Sequence, residues 1–169
     1  IFDQSNDVRY DSYFGVVGTL NGVPKAARLI EWKHLGRTAP DGVVNWKVYR
    51  TGEMYLIRAE ANYRLNNEAA ALADLNTLRS NRIAGFTNGT ESGTALLDAI
   101  MTERRKELYA EGHRFFDLKR TVHVINRCPS NAGSPSTICS LASNSRAWAW
   151  PIPFNETNAN ANIIQNNGY

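Results

Sequence analysis

The sequence predicts a mainly α fold: helical hairpins carrying extended loops, closed by an irregular C-terminal tail. Three observations predict it. Apolar residues recur at helical spacing through residues 51–65, 68–82 and 94–111. The Asn66-Asn67 connection is too short for anything but an antiparallel helical hairpin. Before residue 49 and after about residue 126 the helical period lapses, and glycine, proline and asparagine punctuate the chain.

Residues 1–48 read as an irregular, extended segment. Gly15, Gly18, Gly22, Pro24, Gly36, Pro40 and Gly42 interrupt it, and the β-prone runs at 13–17 and 43–49 allow one small β pairing. In the first helix, 51–65, Met54, Ile57, Ala61 and Leu65 form one stripe. Leu56, Ala59 and Tyr63 form another opposite, which predicts a helix sandwiched between neighbours. The second helix, 68–82, is expected to bury Ala69, Leu72, Ala73 and Leu75 or Leu78, with Gly85 as a stop signal. A third helix spans 94–111, and Gly112 is placed to break it. A fourth, 113–126, carries Phe115, Phe116 and Leu118. Pro151 and Pro153 oppose helix in 147–153, which should lie extended. The Asn-rich tail that follows should be irregular, pinned by Ile163, Ile164 and Tyr169.

The third helix holds the most informative residues. Leu97, Ile100, Met101 and Leu108 define its apolar stripe, and Arg104 and Glu111 fall inside that stripe. A buried charge must be paired, because an isolated buried ion is very costly. The nearest sources of partners are Glu103, Glu107, Arg114 and Asp117, so these six residues are expected to form a structural ion network. Glu103 and Glu107, one turn apart, could instead be an acid–base pair for glycoside hydrolysis. Arg104, Arg105, Lys106 and Arg114 argue against this, since they would hold the carboxylates ionised. No catalytic residue is assigned.

Composition narrows the function. Net charge is +3, with bases interleaved among acids, which argues against nucleic acid. The local excess at Lys25, Arg28, Lys33 and Arg37 reads as a solvated loop. No apolar run reaches the roughly 18 residues of a membrane span. The glycine run 15–22 lacks the Gly-Lys-Ser/Thr ending of a phosphate loop, and 89–93 misplaces its serine for a nucleophile elbow. His34, His113 and His123 show no ligand spacing with the cysteines, so no metal site and no cofactor is expected.

Five segments resemble the SusD/RagB family in that family's order. They are Arg50-Thr51-Gly52-Glu53-Met54-Tyr55-Leu56-Ile57-Arg58-Ala59-Glu60-Ala61; the Ala/Leu-rich run 71–79; the charged block from Glu103 to Arg120; Trp150-Pro151-Ile152-Pro153; and the closing Gln165-Asn166-Asn167-Gly168-Tyr169. Asn167 departs from the family's usual proline, which concerns only a local turn. The resemblance implies a SusD-like C-terminal helical domain over 49–169, built of tetratricopeptide-type hairpins. It implies that the chain is the C-terminal part of a longer lipoprotein of the outer membrane of Bacteroidetes-type bacteria, exposed at the cell surface, with its lipid anchor on the part outside this chain. Such proteins are non-catalytic. They bind a glycan, or in some members a peptide, and deliver it to a SusC-like TonB-dependent transporter. The expected partners are therefore that transporter, an oligosaccharide and the remaining N-terminal part of the same protein. A peptide-binding scaffold of tetratricopeptide type, without glycan binding, is the alternative.

Export also bears on the cysteines. Cys128 and Cys139 bracket a loop rich in Ser, Asn, Pro and Gly; a disulfide closing it is expected, with two free thiols as the alternative. A sugar ring stacks its C–H face on Trp or Tyr and needs paired hydrogen bonds for its hydroxyls. Trp148 and Trp150 belong to the closing motif and read as structural. Trp32, Trp46 and Tyr13 lie in the segment where the family varies and are the candidate ligand residues; anchoring of loops on helices stays open as the other role for each.

Overall fold

The computed structural model describes residues 1–20, 23–31, 33, 48–121, 124–127 and 139–169, with the backbone alone at 15–20 and 23–31. The chain forms two compact units, Ile1–Glu111 and Gly112–Tyr169. The boundary between them falls inside the segment 49–169 that the sequence groups together.

The first unit runs α1 (Val8–Tyr13), β1 (Phe14–Leu20), β2 (Val23–Glu31), α2 (Thr51–Arg64), α3 (Glu68–Ser80) and α4 (Gly93–Glu107). Its apolar core joins three helices: Leu56 and Ala59 of α2, Ala71, Leu75 and Leu78 of α3, and Leu96 and Ile100 of α4. Each set is spaced three or four residues apart, so each helix contributes one face. The α2–α3 hairpin turns through Asn66, whose φ of 59° suits asparagine better than most residues. Asn67 then caps α3, its side chain accepting from the Ala70 amide at 3.4 Å. The loop after α3 is tethered to the helix by Asn76, whose amide accepts from Gly89 N at 3.0 Å and donates to Gly89 O at 3.1 Å.

The core faces differ from those expected. In α3, Ala69 and Ala73 are exposed, Leu72 is half-buried, and Ala71, Leu75 and Leu78 face inward. Alanine occurs on every side of this helix, so the period alone leaves its buried face undetermined. In α4 the buried position is Leu96, not Leu97. Helix α2 is not sandwiched: Met54, Ile57 and Leu65 are 45%, 48% and 76% exposed.

The segment before α2 is more ordered than its composition suggests. Asp7 caps α1, accepting from the Arg9 amide at 3.1 Å. Val8 N donates to Arg82 O and Ala84 N to Asn6 O, both at 2.9 Å, which fixes this segment on the turn after α3. A six-residue helix is too short to announce itself by periodicity. β1 and β2 pair antiparallel, Phe14 opposite Glu31 and Leu20 opposite Val23, with a register irregularity between Val17 and Thr19. Residues 43–47 of the second β-prone run lie outside the described residues.

The second unit contains α5 (His113–Arg120), a two-residue pairing of β3 (Ile125–Asn126) with β4 (Ser140–Leu141), a 3-10 turn at Arg146–Trp148, and α6 (Phe154–Ala159). Gly112 at φ 82° starts α5, a backbone angle that penalises other residues. The helix stops at Arg120, short of residue 126. Trp148 is buried, 5.3 Å from Phe115 between ring centroids, and its Nε1 donates to Ala142 O at 2.7 Å. Of the three residues expected to pin the tail, Tyr169 lies under Arg146 at 4.8 Å and Ile163 is half-buried, and amides add to the hold. Gln165 accepts from Ile152 N at 2.8 Å and donates to Ile152 O at 2.9 Å, whereas Ile164 is 89% exposed. Its side chain thereby copies the pairing of a neighbouring strand.

The core assignment predicts unequal effects of two truncations. Leu75→Ala should lower the unfolding free energy of this chain by about 2–5 kcal/mol in urea. Met54→Ala should change it by less than about 0.5 kcal/mol.

Candidate functional site

The buried face of α4 begins apolar, with Leu96 and Ile100, and ends acidic, with Glu103 and Glu107. Both carboxylates are almost wholly removed from solvent, at 1% and 0% exposure. They also sit in the last turn of α4, where the helix dipole disfavours anions. Two penalties therefore act on the same groups, and both must be offset by cations.

Those cations come from four other elements. Arg82, after α3, donates from Nε and Nη2 to the two carboxylate oxygens of Glu107, each at 3.0 Å. Arg50, before α2, donates to the Glu107 carboxylate at 2.8 Å and to its carbonyl at 2.5 Å. Arg9 of α1 reaches Glu107 at 3.1 Å and Glu103 at 2.5 Å while clamping Asp7 at 2.8 Å. Arg79 of α3 bridges Glu103 at 3.3 Å and Glu91 at 2.7 Å. Below α4, Arg50 also takes Glu111 at 2.7 and 3.1 Å. Lys33 pairs with Glu111 and donates to the carbonyls of Glu107 and Tyr109 at 2.9 and 2.8 Å. The Glu107 carboxylate lies against the first turn of α2, where the dipole favours an anion. A Cβ at Gly52 would overlap it, so glycine there allows the approach.

Protonation follows from this geometry. Burial pushes the Glu107 carboxyl up, but the hydrogen bonds and charges of Arg82 and Arg50 outweigh it and hold the group at about 2. Burial likewise raises Glu111, and the bonds from Lys33 and Arg50 bring it below the usual carboxylate range. Burial lowers Lys33 despite its bond to Glu111, and burial together with the Glu107 charge pushes the Tyr13 phenol up to about 12. At neutral pH Glu107 is therefore an ion between guanidinium groups that do not release protons. The arrangement can fix helices, and Glu107 is not an acid poised to give up a proton near pH 7.

The expected network is thus partly rearranged. Glu103, Glu107 and Glu111 share Arg50 and Arg9 as described. Arg104 is buried but pairs with Glu53 of α2 at 3.6 Å. Asp117 and Arg114 belong to the second unit, where Asp117 accepts from Arg120 at 3.0 Å and Arg114 is exposed. Positions 103 and 107 are neighbours on one helix face and both acidic, so charge balance draws mainly on bases from other elements; from the same helix Lys106 adds a longer contact to Glu103 at 3.9 Å. Lys33, read as a solvated loop lysine, is one of the bases from outside α4. Tyr13, read as a ligand platform, is buried: Lys33 sits 4.3 Å from its ring centre, Phe2 packs edge-on, and its hydroxyl donates to Glu107 O at 3.4 Å. Trp32 and Trp46 lie outside the described residues. Cys139 is disulfide-bonded, and Cys128 lies outside the described residues. Sequence reasoning missed Asp7, Arg9, Arg79 and Arg82. Arg50 and Gly52, by contrast, head the Arg50–Ala61 motif, a signal that could have tied them to the acids.

Two variants test the cluster. Glu107→Gln leaves Arg82 and Arg50 without their anion and should cost about 3–5 kcal/mol of stability. Gly52→Ala, forced against the carboxylate, should cost about 1–3 kcal/mol. Because the folded Glu107 value lies below the ordinary 4.5, its contribution is complete above pH 4.5 and lost as pH falls toward 2. Midpoints of thermal unfolding between pH 6 and 2 should show this loss, and the Glu107→Gln variant should lack that part of the slope.

Residues 34–169 match the SusD family. The starch-binding protein SusD of Bacteroides thetaiotaomicron is 31% identical over 72% of this chain, which corresponds to 21% of that protein. A SusD-like protein of Formosa agariphila is 31% identical over 72% of the chain and 24% of its own length. The chain thus spans under a quarter of these relatives. Among solved structures, a SusD superfamily protein from Bacteroides thetaiotaomicron superposes with a TM-score of 0.81 at 32% identity, covering 96% of this chain and 37% of that one. Another, from Bacteroides vulgatus, gives 0.76 at 30% identity over 97% and 36%. The helical fold and the matched sequence together make this chain a member of the SusD family.

Proposed function

We propose that this chain is the C-terminal part of a non-catalytic nutrient-binding protein of the outer-membrane surface, which captures glycan and delivers it to a SusC-like TonB-dependent transporter. Membership in a family with a starch-binding relative carries the reading. The buried acids support the non-catalytic half: Glu107 is held ionised by arginine, and the cluster is built to be rigid. Trp32 and Trp46 remain the proposed stacking residues, and Cys128 the proposed partner of Cys139. The exposed stripe of Met54, Ile57 and Leu65 supports a further contact, with the part of the longer protein that lies outside this chain.

Calorimetric titration against a panel of oligosaccharides tests the reading. Saturable binding of one glycan class is expected, without release of new reducing ends. Trp32→Ala should weaken it about tenfold, or about 1.4 kcal/mol. Binding of extended peptides with indifference to every sugar would favour the tetratricopeptide-type scaffold instead. Steady release of reducing ends would sink the non-catalytic reading.

A further inference from the structure

Near the end of α4 opens a cleft of about 200 Å³, lined by Ile1, Phe2, Gln4, Tyr10, Phe14, Arg105 and Tyr109. It lies wholly within the first unit. At about 30 Å³ per water, it has room for six or seven waters, the space of one sugar ring and too little for two. Phe14 forms an aromatic centre: Phe2, Tyr10 and Tyr109 stand 5.5, 5.6 and 5.0 Å from it between ring centroids. Tyr109 keeps 37% of its surface open.

The polar groups of this cleft differ from those of the ion cluster. Arg9, Arg50, Arg58, Arg79, Arg82 and Arg104 each hold a carboxylate. Among the described residues, Arg105 holds none, although it is exposed beside Tyr109. The Gln4 amide and the hydroxyls of Tyr10 and Tyr109 also lack protein partners among the described residues. A planar fork of N–H donors next to open aromatic faces matches a ring that bears a carboxylate. Apolar C–H faces stack on tyrosine, and ring hydroxyls find the amide and phenols.

We propose that this cleft is a subsite for an acidic pyranose, a uronate residue of a glycan, with Tyr109 and Tyr10 as stacking platforms and Arg105 as the carboxylate clamp. The proposal rests on the glycan-capture reading and names a substrate class for it. The test titrates short oligouronates, such as trigalacturonate, against the neutral trisaccharide of the same sugar, on this chain and on a longer protein containing it. The oligouronate should bind at least tenfold more tightly at low salt, and the preference should shrink as salt rises. Arg105→Gln should bring the ratio close to one by weakening the oligouronate far more than the neutral sugar, and Arg105→Lys should retain part of the preference. Tyr109→Ala should weaken both ligands. Both positions are exposed, so the variants should unfold at the parent temperature. A ratio unmoved by Arg105→Gln, or loss of the preference in the longer protein, would overturn the subsite while any neutral-glycan binding kept the broader reading standing. Failure to bind any glycan would remove both.

Discussion

One desolvated carboxylate governs the first unit. Glu107 is fully buried at the dipole-disfavoured end of α4, and an anion in that position is tolerable only when cations surround it closely. The apolar cluster of α2, α3 and α4 does not include α1, which is held by two backbone hydrogen bonds and by aromatic contacts of Tyr13 and Phe14. Arg9 and Arg50 add the charged anchors. Because both side chains end on the same carboxylate, the positions of α1, α2, the turn after α3 and the end of α4 are mutually constrained. A shift of any one would strip hydrogen bonds from a group that has no water to replace them.

This design also separates the chemistry of the molecule into two kinds of arginine. Those turned inward are saturated by carboxylates and serve shape. Arg105, on the opposite side of the same helix, faces a small aromatic cleft and has no acidic partner among the described residues. Consecutive positions on α4 therefore differ: Arg104 is committed to Glu53, and Arg105 has no carboxylate partner among the described residues. A rigid helix end is a suitable mount for such a group, since a guanidinium fork discriminates only when its angle is fixed.

Much of the first unit could be read from the sequence, and the reasons for success and failure are physical. The α2–α3 hairpin was legible because Asn66-Asn67 marks a turn and the flanking helices are amphipathic. The charged third helix was legible as a paired structure because an apolar stripe cannot otherwise hold Arg104. Its partners were not, since Arg9 lies 98 residues from Glu107 and nothing local ties them. The buried side of α3 was misjudged because alanines surround the helix. Helix α1 was too short to show a period. The closing tail was expected to use Ile163, Ile164 and Tyr169; Ile164 is exposed, and the amide of Gln165 adds a contact through Ile152 that no hydrophobic pattern could reveal. Tyr13 shows the weakness of reading aromatics by type: the same ring that could stack on a sugar is here covered by a lysine.

The long separation between Arg9 and Glu107 also has a temporal meaning. At roughly 5–20 residues per second of synthesis, Arg9 is made about 5 to 20 s before Glu107 exists. Over that interval Asp7, two positions away, is a ready local counterion that can occupy its guanidinium. In the folded chain Asp7 accepts from Nε and Nη2 of Arg9, which fixes the direction in which the guanidinium meets Glu103 and Glu107.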